Sequence, residues 1–209
     1  MDDREATDLR YELRSIARTP IRDVRADALV KVRGTVMLDG PAPLAPISGT
    51  PCALYYLEAQ LVLPVWTSGD DDELARPHSR STPLLRESGG RALLLDDGSG
   101  RAVVRIARAR LSLLGTWKTE FAHIHAQFLA AHGVAMARKP AELEYRELTV
   151  VPGELLTVYG RAIHEADPGL PASGPHPYRA VFVRHVFVAA PSSPLYIVQE
   201  RVTALDAVG

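Results

Sequence analysis

Arg91-Ala-Leu-Leu-Leu95-Asp-Asp-Gly-Ser-Gly100-Arg-Ala-Val-Val-Arg-Ile106 decides the fold class of this chain. Two apolar runs, each too short for a helix, flank a segment of aspartate, glycine and serine. Those residues tolerate left-handed backbone and hydrogen-bond their own turns, so the segment reads as a β-hairpin. Asp96 and Asp97 are adjacent carboxylates, yet a calcium loop needs further oxygen ligands at regular spacing. Gly98-x-Gly100 lacks the third glycine and the following helix of a phosphate cradle. Turn chemistry accounts for the segment.

Upstream, Val30, Val32, Val36 and Leu38 alternate around Gly34, a strand with a bend at the glycine. Pro41, Pro43 and Pro46 make a rigid loop, and Cys52–Leu63 forms a long second strand. Residues 67–90 mix Gly, Ser, Pro, the acidic run Asp70–Glu73 and His78, which reads as an exposed loop or a ragged hairpin. Downstream, the apolar stripe Phe121, Ile124, Phe128 and Leu129 predicts a helix from about Thr119 to Met136. Strands follow over 144–151 and 154–163, joined at Pro152-Gly153. Residues 165–178 form a Pro/Gly-rich loop. Arg179–Ala189 and Leu195–Leu205 read as a closing hairpin around Pro191–Pro194.

Residues 1–18 place Leu9, Leu13, Ile16 and Ala17 on one helical face, and Pro20 ends the helix. The expected fold is a β-rich α+β chain: a small OB-like β-barrel with an N-terminal helix and one inserted helix. Residues 1–18 form that amphipathic helix, and 19–205 form a single domain.

The chain of 209 residues carries 24 Lys+Arg against 25 Asp+Glu, a net charge of −1. That balance lacks the basic excess of a dedicated nucleic-acid binder. A single cysteine, Cys52, excludes an internal disulfide and the thiolate sets of zinc fingers, RING domains and iron–sulfur sites. The acidic N-terminus has no apolar core of a secretory signal. No apolar run approaches the roughly 20 residues that span a bilayer. The expectation is a soluble cytoplasmic protein with a reduced cysteine.

On a helix, His125 and His132 share a face about 10 Å apart while His123 points away, so the three lack metal-binding spacing. No nearby base activates Cys52, which reads as a buried apolar residue. No catalytic residue, metal or cofactor is expected. Tyr55, Tyr56 and Trp66 offer stacking surfaces, and Arg101 and Arg105 share a strand face suited to an acidic partner. These five residues are the candidate binding set, with the cleft beside residues 67–90 as its place.

The segments Val30-Lys-Val-Arg-Gly34-Thr-Val36 and Ala45-Pro-Ile-Ser-Gly-Thr-Pro-Cys52-Ala-Leu-Tyr55-Tyr56-Leu-Glu58 come first in a motif series. The hairpin at Leu93–Val104, then Tyr145-Arg-Glu147, then Pro152-Gly-Glu-Leu-Leu-Thr-Val-Tyr-Gly160-Arg-Ala complete it. In this order they resemble the GIDE domain, also called the BAM ("beside a membrane") domain. That domain occurs in MULAN-type membrane-anchored ubiquitin ligases and in many bacterial proteins. The likeness runs from about Pro20 to Ile163, and Ser193-Pro-Leu-Tyr-Ile-Val fits the closing strand. It implies a non-catalytic sensing or partner-binding module. The ligase activity of the eukaryotic members belongs to a separate RING, whose cysteines this sequence lacks, and the flanking transmembrane helices are missing too. No catalytic residue carries over.

The motifs also build the fold: Gly34 and Gly160 suit strand bends where a Cβ would clash, and Arg146 suits pairing with an acid on the next strand. The leading expectation is a soluble GIDE-type module engaging a protein partner. The alternative is an OB-like single-stranded nucleic-acid-binding domain, which the net charge disfavours.

Overall fold

A computed structural model of the chain describes residues 11–38, 40–65, 78–90, 92–134, 141–166 and 183–200. Their strands are β1 (Leu29–Met37), β2 (Leu54–Val65), β3 (His78–Gly90), β4 (Leu93–Asp96), β5 (Arg101–Val104) and β6 (Arg110–Ser112). β7 (Lys118–Phe121), β8 (Glu142–Val150), β9 (Leu155–Ala166), β10 (Val183–Val188) and β11 (Tyr196–Gln199) follow.

The β4–β5 hairpin sits where its sequence places it, with Leu93 opposite Val104 and Asp96 opposite Arg101. Gly98 takes φ +80°, and Asp97 accepts hydrogen bonds from the Ser99 and Gly100 amides. β4 pairs with β1, β1 with β9, β9 with β10, and β10 in parallel with β5. That circuit closes a five-stranded, OB-like barrel. Closure removes open strand edges from the circuit.

Two glycines permit the tight closure. A Cβ on Gly34 would lie 2.6 Å from the Asp96 carbonyl oxygen, and one on Gly160 would lie 2.6 Å from the Leu195 side chain. Inside, Val32, Leu93, Leu95, Val104, Leu156, Val158, Phe187 and Ile197 form an apolar core. Each such side chain contributes roughly 1.5–3 kcal/mol on burial.

The second sheet runs β3-β2-β8-β7, antiparallel throughout. It is built from two excursions of the barrel chain, one between β1 and β4, the other between β6 and β9. Its root reaches the barrel core through Leu54 and Val150, while Leu57, Ala59, Leu129, Leu143 and Tyr145 form a separate core.

Three expectations are corrected. Residues 78–90 are not loop or ragged hairpin but the long strand β3, paired with β2 from Val65–His78 to Leu54–Gly90. An edge strand needs backbone pairing on one side only, so its polar composition is tolerated. Pro83 sits beside the register shift between Ala59 and Gln60, where a missing amide is least costly. The remainder of that expected loop, 67–77, lies outside the described residues.

The inserted helix is shorter than its periodicity predicts. Lys118–Phe121 pair with β8, Ala122–His125 form a 3-10 turn, and only Ala126–Ala131 are α-helical. Gly133, at φ +72°, turns the chain away. Leu129 is buried as expected, but Phe121 and Ile124 face outward because the chain enters as strand.

The closing strands do not pair with each other. Arg161 of β9 pairs with Leu29 on one side and Val188 on the other, so β10 runs along the edge opposite β1. β11 continues along that same edge, from Tyr159 to Leu156, after a turn at Ala190–Ser193. Of the helix expected over 1–18, residues 11–15 are helical, 16–18 are not, Arg18 forms a β-bridge with Lys31 instead, and 1–10 lie outside the described residues. Leu13 packs against Val198 with Ile16, Tyr159 and Tyr196 around it. No helix among the described residues is long and apolar enough to cross a membrane.

Candidate functional site

Strand alternation divides the second sheet into two faces. Tyr55, Leu57, Ala59, Leu61 and Leu63 of β2 point into the second core. Tyr56, Glu58 and Gln60 point the other way. Register brings Arg146 of β8 and Arg86 of β3 to either side of Glu58.

Glu58 binds both guanidinium groups, Arg86 at 2.5 Å and Arg146 at 3.1 Å. Burial opposes its ionisation, but the hydrogen bonds from Arg86 and Arg146 outweigh that and hold the carboxyl below its usual range. The Tyr56 hydroxyl donates to the same carboxylate at 3.3 Å, and burial together with Glu58 pushes the phenol up. The Arg146 guanidinium also lies 5.3 Å from the Trp117 ring centroid, a cation–π contact.

Trp117 leads into β7, the outermost strand of this sheet. Among the described residues no strand pairs with its far edge. Trp117 is 43% exposed, Phe121 55% and Ile124 60%, so three large apolar side chains gather within eight positions of this edge. Phe121 also stacks on His123, with ring centroids 5.7 Å apart.

On the inward side of β7, Glu120 accepts a hydrogen bond from the Tyr145 hydroxyl at 3.1 Å and contacts His125 Nε2 at 2.6 Å. The His125 hydrogen bond, opposed by burial and aided by Tyr145, holds Glu120 below the usual carboxylate range. Burial and Glu120 push the Tyr145 phenol up to about 12. A phenol so placed donates a proton to a partner and does not serve as a base near neutral pH. The group fastens the start of the short helical insert to the sheet.

The sequence candidates divide. Arg101 pairs with Asp96 at 2.9 Å and Arg105 with Glu165 at 2.8 Å, both on the barrel. Tyr55 packs into the second core, and Tyr56 is engaged by Glu58. These four are not brought together, and Trp66 lies outside the described residues. Asp96 is the carboxylate partner of Arg101, while Arg105 shares Glu165 with Arg184, which lies 3.4 Å from it. Cys52 is fully buried, and burial first, then Glu147, pushes its thiol up, away from the thiolate a nucleophile needs.

His125 ends the 3-10 turn and His132 follows the helix, so the two are not on one helical face; His125 meets Glu120 and His132 the Phe128 carbonyl oxygen. Among the described residues no three His, Cys, Asp or Glu side chains converge on a metal position. Phe121 and Ile124 fit a helical period with Phe128 and Leu129, so the sequence reads them as a buried stripe, and Trp117 lies outside that stripe. The pairing of Lys118–Phe121 with β8 is what turns the start of the segment into strand.

No protein-family model, curated protein or solved structure matches the chain.

Proposed function

We propose that this chain is a non-catalytic binding module of the GIDE type that engages a protein partner at the outer edge of β7, which no strand among the described residues pairs. The observation that carries the reading is the exposure of Trp117, Phe121 and Ile124 within eight sequence positions at that edge. An unpaired strand edge offers backbone donors and acceptors to an added strand, and the apolar side chains supply the contact energy. Tryptophan and arginine are also the residue types that dominate interface energetics, and here Trp117 rests on Arg146.

The test is site-specific photo-crosslinking in cells of the source organism. A photoreactive residue replaces Thr119 on β7 or, as control, Arg22 near the barrel end. An adduct at 119 that is absent at 22 and lost on Ile124→Lys supports the reading. Equal adducts at both positions, or none at 119, overturn it.

The OB-like barrel is the one observation that favours nucleic acid instead. Against it, Tyr55 is turned into a core, and Arg101 and Arg105 are already paired. Fluorescence anisotropy with single-stranded oligonucleotides at low salt separates the readings. Salt-dependent binding establishes the alternative, and a flat titration ends it.

A further inference from the structure

Between the N-terminal helical turn and the outer wall of the barrel lies a cavity of about 780 Å³. Its walls come from residues 13–18, β1, β9 and β11. Leu13, Ile16, Leu114 and Val198 supply its apolar side. Arg14, Arg18 and Lys31 supply the cationic one.

Among the described residues that line it, the charge balance of this cavity is one-sided. Glu200 also borders it, but its carboxylate is held by Arg33 at 2.7 Å and by the Thr157 hydroxyl. Arg14 and Arg18 form no ion pair among the described residues. Lys31 is only 7% exposed, and its Nζ donates to the Leu13 carbonyl oxygen at 2.6 Å. That leaves ammonium protons whose partner is not a carboxylate. In a chain of net charge −1, three cations beside one neutralised acid form a local concentration of positive charge.

Burial, with the neighbouring Arg18 charge next and Glu200 opposing, lowers the Lys31 pKa. An anion placed between Lys31 and the two arginines relieves both the desolvation and the repulsion. The volume matches that of small-molecule sites, which combine apolar walls with a few orienting polar groups.

We infer that this cavity binds an amphiphilic organic anion, its carboxylate or phosphate on Arg14, Arg18 and Lys31 and its apolar body against Leu13, Ile16 and Val198. The site is independent of the partner-binding reading, because it uses no residue of β7. The two arginines stand at the rim, where they fork onto an oxyanion. Lys31 forms the floor, tied to the turn that closes the cavity, so occupancy and docking of residues 11–15 reinforce each other.

The experiment is isothermal titration of the full chain with octanoate, octyl phosphate, inorganic phosphate and 1-octanol. The expected result is saturable one-to-one binding of octanoate or octyl phosphate, with at least tenfold weaker binding of inorganic phosphate and of the uncharged alcohol. Which amphiphile binds more tightly identifies the headgroup. Arg14→Ala/Arg18→Ala together are expected to weaken binding at least tenfold, with circular dichroism and thermal midpoint near those of the parent because both side chains are exposed. Ile124→Lys is expected to leave it unchanged, which separates failure here from failure of the β7 reading. No binding of either amphiphile overturns the inference, as does inorganic phosphate binding equally well, or affinity indifferent to the double arginine substitution. Lys31→Met serves as the second variant: retained affinity there also overturns it.

Discussion

Asp97 Oδ2 accepts the backbone amide proton of Ile21 at 2.8 Å, joining positions 76 apart in the chain. The same carboxylate, through Oδ1, accepts from the Ser99 amide, the Ser99 hydroxyl and the Gly100 amide. One aspartate therefore shapes the β4–β5 turn and fastens the 3-10 turn Ile21–Asp23, whose Ile21 is fully buried in the barrel core. Local turn chemistry and long-range closure meet in one side chain.

Removing that carboxylate leaves several amides without their partner. Asp97→Ala is expected to destabilise the fold by about 1–3 kcal/mol, read as a lowered urea midpoint. Burial raises the Asp97 pKa, but the hydrogen bonds from Ser99, Ile21 and Gly100 outweigh it and bring the folded value below the ordinary one. The folded pKa is thus below the unfolded value of about 3.9. Its stabilisation is fully present above the unfolded pKa and is lost as pH falls through the folded one. The stability gap between the parent and Asp97→Asn should therefore shrink as pH falls from about 5 through and below the unfolded value of about 3.9. A gap that stays constant across that range contradicts the assignment.

Gly34 and Gly160 separate two kinds of crowding. The Cβ of Gly34→Ala would meet the Asp96 backbone, which the β1–β4 ladder holds in place. The Cβ of Gly160→Ala would meet the end of the Leu195 side chain, which has other rotamers. Overpacking costs typically about 1–3 kcal/mol, so Gly34→Ala is expected at or above the top of that range and Gly160→Ala near its bottom. Thermal midpoints of the two variants check the order, and a reversed order refutes it.

These glycines were legible in sequence because each interrupts an alternating apolar run, and only close approach explains that. The hairpin at 93–104 and the pairing of Arg146 with an acid across the sheet were legible for the same reason: both follow from strand alternation and turn residues. β3 was not, since its polar edge composition matches a loop and only its ladder with β2 makes it a strand. The start of the inserted helix was misread because Phe121 and Ile124 fit a helical period, while pairing of Lys118–Phe121 with β8 decided otherwise. Glu120, His125 and Tyr145 meet only through that pairing, so no local pattern announced them. Long-range register is the common cause.

Glu58 tests whether the outer face of the second sheet is held by charge. Arg146 is 14% exposed in its side chain, Arg86 61%, and Glu58 19%. Glu58→Ala removes the carboxylate that both arginines and the Tyr56 hydroxyl share and is expected to cost roughly 2 kcal/mol, whereas Arg86→Ala, at a solvated pair, should cost under about 1 kcal/mol. Chemical denaturation of both variants gives the comparison. Equal costs would mean that the solvated arginine matters as much as the enclosed one, against the geometry.

Cys52 offers a direct reading of how tightly the strand root is packed. Its side chain has no exposure, and burial with Glu147 nearby disfavours the thiolate that reacts with disulfide reagents. The native thiol is therefore expected to react at least a hundredfold more slowly than the same thiol in urea, at a rate that follows opening of the fold. Cys52→Ser tests the same packing from the other side. A hydroxyl buried without a partner costs about 1–3 kcal/mol, so the serine variant should be the less stable and Cys52→Ala closer to the parent. Rapid modification of the folded protein would instead place Cys52 within reach of solvent, and the root of β2 would have to open locally for that to happen.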